Sequence, residues 1–125
     1  MAVTLYGNDS VTLAVEVPPA LRGTAVLFVE AWALRNPRGA RVYVEVYLVG
    51  ADGREHELGN FTFFGMPRER DKQEFVFELE PPVQREALAG GSEGAQIRAS
   101  MKPIDASNGD VSDVRVDLQA WIEVL

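Results

Sequence analysis

At 125 residues and 13.7 kDa, 46% hydrophobic and 25% charged, the chain suits one domain with its own core and is too apolar to be disordered. Twelve Lys and Arg against nineteen Asp and Glu leave a net charge of -7. That balance argues against a nucleic-acid partner, because such binding rests on basic side chains neutralising phosphates. With no cysteine and a single histidine, disulfides, thiolate metal sites, cysteine nucleophiles and histidine clusters are all excluded.

Along the chain the dominant signal has a period of two. Val11, Leu13, Val15 and Val17 alternate with Thr12, Ala14 and Glu16, a half-buried strand stopped by Pro18 and Pro19. Residues Thr24 to Leu34 are apolar at both parities, which predicts a central strand covered on both faces or facing a partner. Asn36-Pro37-Arg38-Gly39 has turn chemistry, with proline presetting one dihedral. Val42, Val44, Val46 and Leu48 then share one face, with Tyr43, Glu45 and Tyr47 on the other. Ala51-Asp52-Gly53 predicts a hairpin turn into a strand from about His56 to Phe64. Phe75, Phe77 and Leu79 alternate with Glu74, Val76 and Glu78, and Pro82 to Leu88 is the one short helix. Ile97, Ala99 and Met101 mark a further strand, and Val114, Val116, Leu118, Ala120, Ile122 and Val124 line one face of the last.

Seven or eight such strands with proline and glycine punctuation predict an all-β domain, an antiparallel β-sandwich with one short helix; a small closed barrel is the competing architecture. The reading is one domain over 1–125, with Gly90 to Gly94 as a flexible loop inside it. The first residues lack a basic start before an apolar run, so no signal peptide is expected, and Ala25 to Leu34 is too short and too interrupted to span a membrane.

Few residues have the company that chemistry needs. His56, between Glu55 and Glu57, reads as a solvated strand residue, since no orienting partner or second ligand accompanies it. Asp105, Asn108, Asp110 and Asp113 form the one oxygen-rich cluster, a weak calcium-loop pattern. A glycine stands where the fifth-position ligand of an EF-hand belongs, and no glutamate closes the loop; the same residues serve ordinary tight turns. The mixed run Arg68 to Lys72 is a solvated loop. The sequons Asn8-Asp9-Ser10 and Asn60-Phe61-Thr62 matter only in a secreted eukaryotic protein. No carboxylate pair or glycine-rich phosphate loop is placed for catalysis, so no enzyme activity, cofactor or resident metal is expected.

The aromatics carry more information. With Val42, Val44 and Val46 turned inward, Tyr43 and Tyr47 face out, and Trp121 leaves the core face of the last strand. Phe64 opposes Phe61 and Phe63 by parity. Large amphipathic side chains on a sheet surface suit a protein or sugar interface, although they can equally cover the edge of their own core.

The order of segments adds a resemblance. Val42-Tyr43-Val44-Glu45-Val46-Tyr47-Leu48, a polar turn, and Leu58-Gly59-Asn60-Phe61-Thr62-Phe63-Phe64-Gly65 are followed by alternation over Glu74 to Leu79. A helical segment from Val83 to Leu88, a strand from Gln96 to Met101 with Pro103, and a last strand from Val114 to Val124 complete the order. Over residues 24 to 124 this resembles the C-terminal β-sandwich of tyrosinases, polyphenol oxidases and related type 3 copper proteins. The resemblance implies an accessory domain that packs over a dicopper oxidase domain and shields its entrance, with Phe64 and Met66 as candidate shielding residues. The family's own copper ligands have no counterpart here, because two coppers require two histidine clusters and this chain has His56 alone.

The expected function is therefore a non-catalytic accessory or interaction domain, its interface drawn from Tyr43, Tyr47, Phe64, Met66 and Trp121 and its partner a type 3 copper oxidase domain. The alternatives are a carbohydrate-binding module with a surface aromatic platform and a self-associating structural β-domain.

Overall fold

A computed structural model describes residues 2–19, 23–63, 71–90, 94–105 and 109–125. Among the described residues, eight strands and one helix follow in the order β1 (Val3–Tyr6), β2 (Ser10–Val15), β3 (Ala25–Arg35), β4 (Val42–Val49), β5 (Glu55–Phe61), β6 (Gln73–Leu79), α1 (Pro81–Leu88), β7 (Ala95–Pro103) and β8 (Arg115–Val124). They form two four-stranded antiparallel sheets, β1-β8-β3-β6 and β2-β7-β4-β5. Each sheet keeps two edge strands of its own, so the architecture is a sandwich and the closed barrel is ruled out.

The period-two pattern becomes the core directly. Val44, Val46 and Leu48 of β4 are fully buried against Leu27, Val116 and Leu118 of the facing sheet's strands, while Ile97 and Met101 extend the same layer. Each such side chain contributes roughly 1.5–3 kcal/mol by leaving water. Helix α1 begins with Pro81 and Pro82, tolerated where the amide hydrogens have no intrahelical partner. It is pinned by Gln84, which is buried and donates to the carbonyls of Leu79 at 2.8 Å and Gly23 at 3.1 Å.

Strand β1 is the element that period-two reading passes over. It is four residues long and buries only Leu5 fully, too short to show alternation. Its pairing with β8, Val3 against Leu118 through Tyr6 against Arg115, makes it a strand. Gly7 follows it where the chain crosses between sheets, and a Cβ there would stand 1.8 Å from the carbonyl oxygen of Val111. Strand β2 ends at Val15, with Val17 packing against the core from outside the ladder.

Two bulges change parity. Between Trp32 and Arg35 the register of β3 on β8 shifts, with Ala33 at φ 53°, and Leu34 thereby turns onto the core. In β5 the register shifts opposite Val46 and Tyr47, so His56 pairs with Leu48 and Phe61 with Val44 although five positions separate them. Both therefore lie on the inward side. Gly59, at φ 149°, lets the bulge form, and the Phe77 ring lies 3.0 Å from where a Cβ would stand. His56 is accordingly half-buried on the core side, with its Nε2 buried and lacking a hydrogen-bond partner among the described residues. This corrects the expectation of a solvated histidine.

The two faces of the β1-β8-β3-β6 sheet predict different responses to truncation. Leu118→Ala should lower the unfolding free energy by about 2–5 kcal/mol, whereas Val76→Ala, on the outer face, should change it by no more than about 0.5 kcal/mol. Urea denaturation of both variants checks this.

Candidate functional site

The expected interface residues divide between two surfaces. Tyr43 and Tyr47 project from β4 on the outer face of the β2-β7-β4-β5 sheet, and Trp121 projects from β8 on the outer face of the opposite sheet. One face bearing all three aromatics does not exist, because β4 and β8 belong to different sheets and both point their other parity into the shared core. Phe64 and Met66 lie outside the described residues. Phe61 and Phe63 do turn inward, with Phe61 stacked on Phe75 at 3.9 Å between ring centroids and edge-on to Phe63 at 5.6 Å.

The tyrosine face is closed on itself. Glu45 sits between Tyr43 and Tyr47 on β4 and accepts a hydrogen bond from each hydroxyl, that of Tyr43 at 3.1 Å. The Lys102 ammonium, one strand over on β7, lies 3.1 Å from the same carboxylate. Arg98 packs over the Tyr47 ring at 4.5 Å, pairs with Glu55 and donates to Ser100. The hydrogen bonds from Tyr47 and Lys102 hold the Glu45 carboxyl below the ordinary carboxylate range. Donation to a carboxylate in turn raises the Tyr43 hydroxyl and pushes Tyr47 up to about 12. These phenols are held protonated, the reverse of what a phenolate nucleophile or base requires.

The loop that suggested calcium is occupied by protein partners. Asp113 takes Arg38 in a fork, with contacts of 2.8 and 2.9 Å, and that pairing draws its carboxyl down. Asp110 accepts from the backbone N–H of Ser112 at 2.9 Å and from Asn8 at 3.0 Å, with the first the larger cause of its lowered carboxyl pKa. Arg38 also donates to the Asp110 carbonyl. Asp105 is exposed and Asn108 lies outside the described residues. Among the described residues no three histidine or acidic side chains gather in a metal-binding arrangement. The cluster ties the 36–40 turn to the β7–β8 connection: Asn36 and Ala40 exchange two side-chain bonds, which aims Arg38 at Asp113.

The opposite outer face is a lattice of cross-strand rows. Trp121 on β8, Phe28 on β3 and Val76 on β6 lie directly opposite one another. Phe28 and Trp121 are stacked, their centroids 5.4 Å apart and their planes within 8°. Val76 is 55% exposed. One row holds Glu123, Val26 and Glu78, and on the other side lie Gln119, Glu30 and Glu74. Gln119 donates to Glu30 at 2.8 Å, and the Trp121 indole N–H donates to Glu123 at 3.2 Å. Beyond them, Lys72 sits 5.8 Å over the Trp32 ring and 3.9 Å from Glu30. Sequence reading identified Trp121 here but missed Phe28, Val76 and Trp32. Their outward parity was visible, yet only the β6-β3-β8 register makes them neighbours.

No protein-family model matches the chain, and none of the curated proteins matches it in sequence. Among solved structures the chain is similar to latent apple tyrosinase at 14% identity, with a TM-score of 0.53 over 98% of this chain and 27% of that one. It is less similar to a family GH115 4-O-methyl-α-glucuronidase, at 11% identity and TM-score 0.44 over 99% of this chain and 14% of that one. For a family 16 carbohydrate-binding module the values are 18% and 0.40, over 96% of this chain and 74% of that one. Of the three, the tyrosinase alone exceeds a TM-score of 0.5, and at that identity the likeness concerns the fold. The chain spans about a quarter of the tyrosinase's length.

The tyrosine network predicts a specific titration. Tyr47 gives stability that is present below its ordinary 10 and lost as pH climbs toward 12, since the unfolded phenol ionises first. Glu45 works oppositely: its share is present above the ordinary carboxylate range and lost as pH falls through the depressed value. Glu45→Gln should bring both phenols back toward 10, seen as an earlier rise in tyrosinate absorbance.

Proposed function

We propose that the chain is a non-catalytic accessory domain that packs on another domain or polypeptide, as the C-terminal β-sandwich does in the tyrosinase family. The observation that carries this reading is the fold likeness to latent apple tyrosinase, which takes in 98% of this chain but 27% of that larger one. The same fold thus recurs as one portion of a longer oxidase chain. The order of strands, the single helix between β6 and β7 and the Phe-rich β5 lie along the stretch whose pattern resembles that family.

Turnover then belongs to the partner. A dicopper centre needs two sets of imidazoles, and His56 is the chain's single histidine, half-buried toward the core. The acidic charge and the outward aromatics suit docking, since aromatic side chains are enriched at protein interfaces.

Mixing the full chain with a tyrosinase copper domain freed of its own β-sandwich should give a co-eluting complex on size exclusion and slower phenol oxidation. Separate elution with unchanged oxidation overturns the reading, as does phenol oxidation by this chain alone.

A further inference from the structure

We infer that the outer face of the β1-β8-β3-β6 sheet is a docking surface for a basic protein surface, centred on Phe28, Trp121 and Val76. This rests on the accessory-domain reading and names the face and the chemistry of its partner. Val76 is more than half exposed, and Phe28 beside it and Trp121 on the next strand are half-buried, an apolar row across three strands. On either side stand Glu78 and Glu123, and Glu30 and Glu74. Asp117 lies one row further on, opposite Trp32. Against these five carboxylates the same face carries Lys72 near Trp32 and, at its far end, Arg35 opposite Arg115, which leaves the ground around Phe28, Trp121 and Val76 acidic.

Glu30 and Glu74 are direct cross-strand partners, an arrangement of like charges that destabilises a sheet unless cations arrive to relieve it. Glu74 and Glu78 make no ion pair among the described residues. The chain carries a small instance of the contact itself: the Lys72 ammonium sits over the Trp32 ring and within 3.9 Å of Glu30. Arginine or lysine side chains of a partner would repeat that contact two rows along, their stems on Val76 and Phe28 and their charged heads on the flanking glutamates.

Other occupants fit worse. A second copy would set glutamates against glutamates between two chains of net charge -7. A sugar ring needs an aromatic face lying open, whereas Phe28 and Trp121 cover part of each other's faces. The tyrosine face competes poorly, because Glu45, Glu55, Arg98 and Lys102 already satisfy one another there.

The test titrates the full chain with a capped hexapeptide of alternating Arg and Leu, followed by amide and indole NMR shifts. Shifts should concentrate at Phe28, Val76 and the Trp121 indole, weaken with added salt and fall at least about tenfold in affinity in Glu74→Lys/Glu78→Lys. Both substituted residues are exposed, and thermal unfolding confirms that this variant folds. Shifts at Tyr43 and Tyr47, equal binding of a Glu-Leu peptide or of cellohexaose, or binding indifferent to charge reversal would overturn the proposal. A dimer in light scattering that Val76→Glu abolishes would hand this face to a second copy and overturn it too. If the complex with the copper domain forms and survives the charge reversal, the face is wrong and the accessory reading stands. If the Arg-Leu peptide binds as expected but no such complex forms, the face stands and that reading fails.

Discussion

Antiparallel pairing of β3 with β8 organises both the inside and the outside of this protein. The two strands, eleven and ten residues long, run side by side at the centre of one sheet with Ala25 opposite Val124 and Ala31 opposite Leu118. That register sets Leu27, Val29 and Ala31 inward beside Leu118, Ala120 and Ile122, where they meet β4 and β7 of the other sheet. The alternate residues must then point outward, which brings Phe28 onto Trp121 and Glu30 onto Gln119. A one-residue slip would exchange the core for the surface, so burial of one face specifies the arrangement of the other.

The two outer faces meet the demands of partly buried charge differently. On the tyrosine face, Glu45 is enclosed by two hydroxyls and an ammonium, and Arg98 is held by Glu55 and the Tyr47 ring. A network so satisfied stabilises its own sheet and leaves little for a ligand to gain. On the other face, carboxylates flank an apolar row and include a like-charged cross-strand pair. Lys72 and the Gln119 amide already ease Glu30, whereas Glu74 across from it has no ion pair among the described residues. Surface chemistry of this kind favours association, where the desolvated ring pair supplies area and the rim supplies selectivity. The proposed accessory role and the proposed docking face rest on this contrast between one outer face whose charges are paired across strands and one whose Glu74 and Glu78 have no ion pair among the described residues.

Local chemistry read well from residue order wherever a single strand or turn was self-sufficient. Val42 to Leu48 alternates without interruption, and β4 follows it, buried at every second position. The Asn36 to Gly39 turn forms with a hydrogen bond from the Gly39 amide to the Asn36 carbonyl at 3.1 Å. His56 is the instructive failure. Its glutamate neighbours suggested exposure, but the bulge around Leu58 shifts β5 by one residue and turns the imidazole toward the core. That bulge depends on Gly59 and on the Phe77 ring of another strand, so no window of β5 alone reveals it.

Residue order by itself determined that this is an all-β domain with one short helix, which parity of β4, β6, β7 and β8 is inward, and that one imidazole cannot seat a pair of copper ions. These follow from alternation, turn residues and composition, all of them properties of short stretches or of the whole count. Tertiary structure alone decided that Tyr43 and Tyr47 lie back to back with Trp121 rather than beside it, and that Phe28, Val76 and flanking carboxylates join that tryptophan. It also decided that Arg38, seventy-five positions away, claims Asp113 in the loop that suggested calcium. Which side chains become neighbours is set by strand pairing between distant segments, and that pairing is chosen by how the whole core packs.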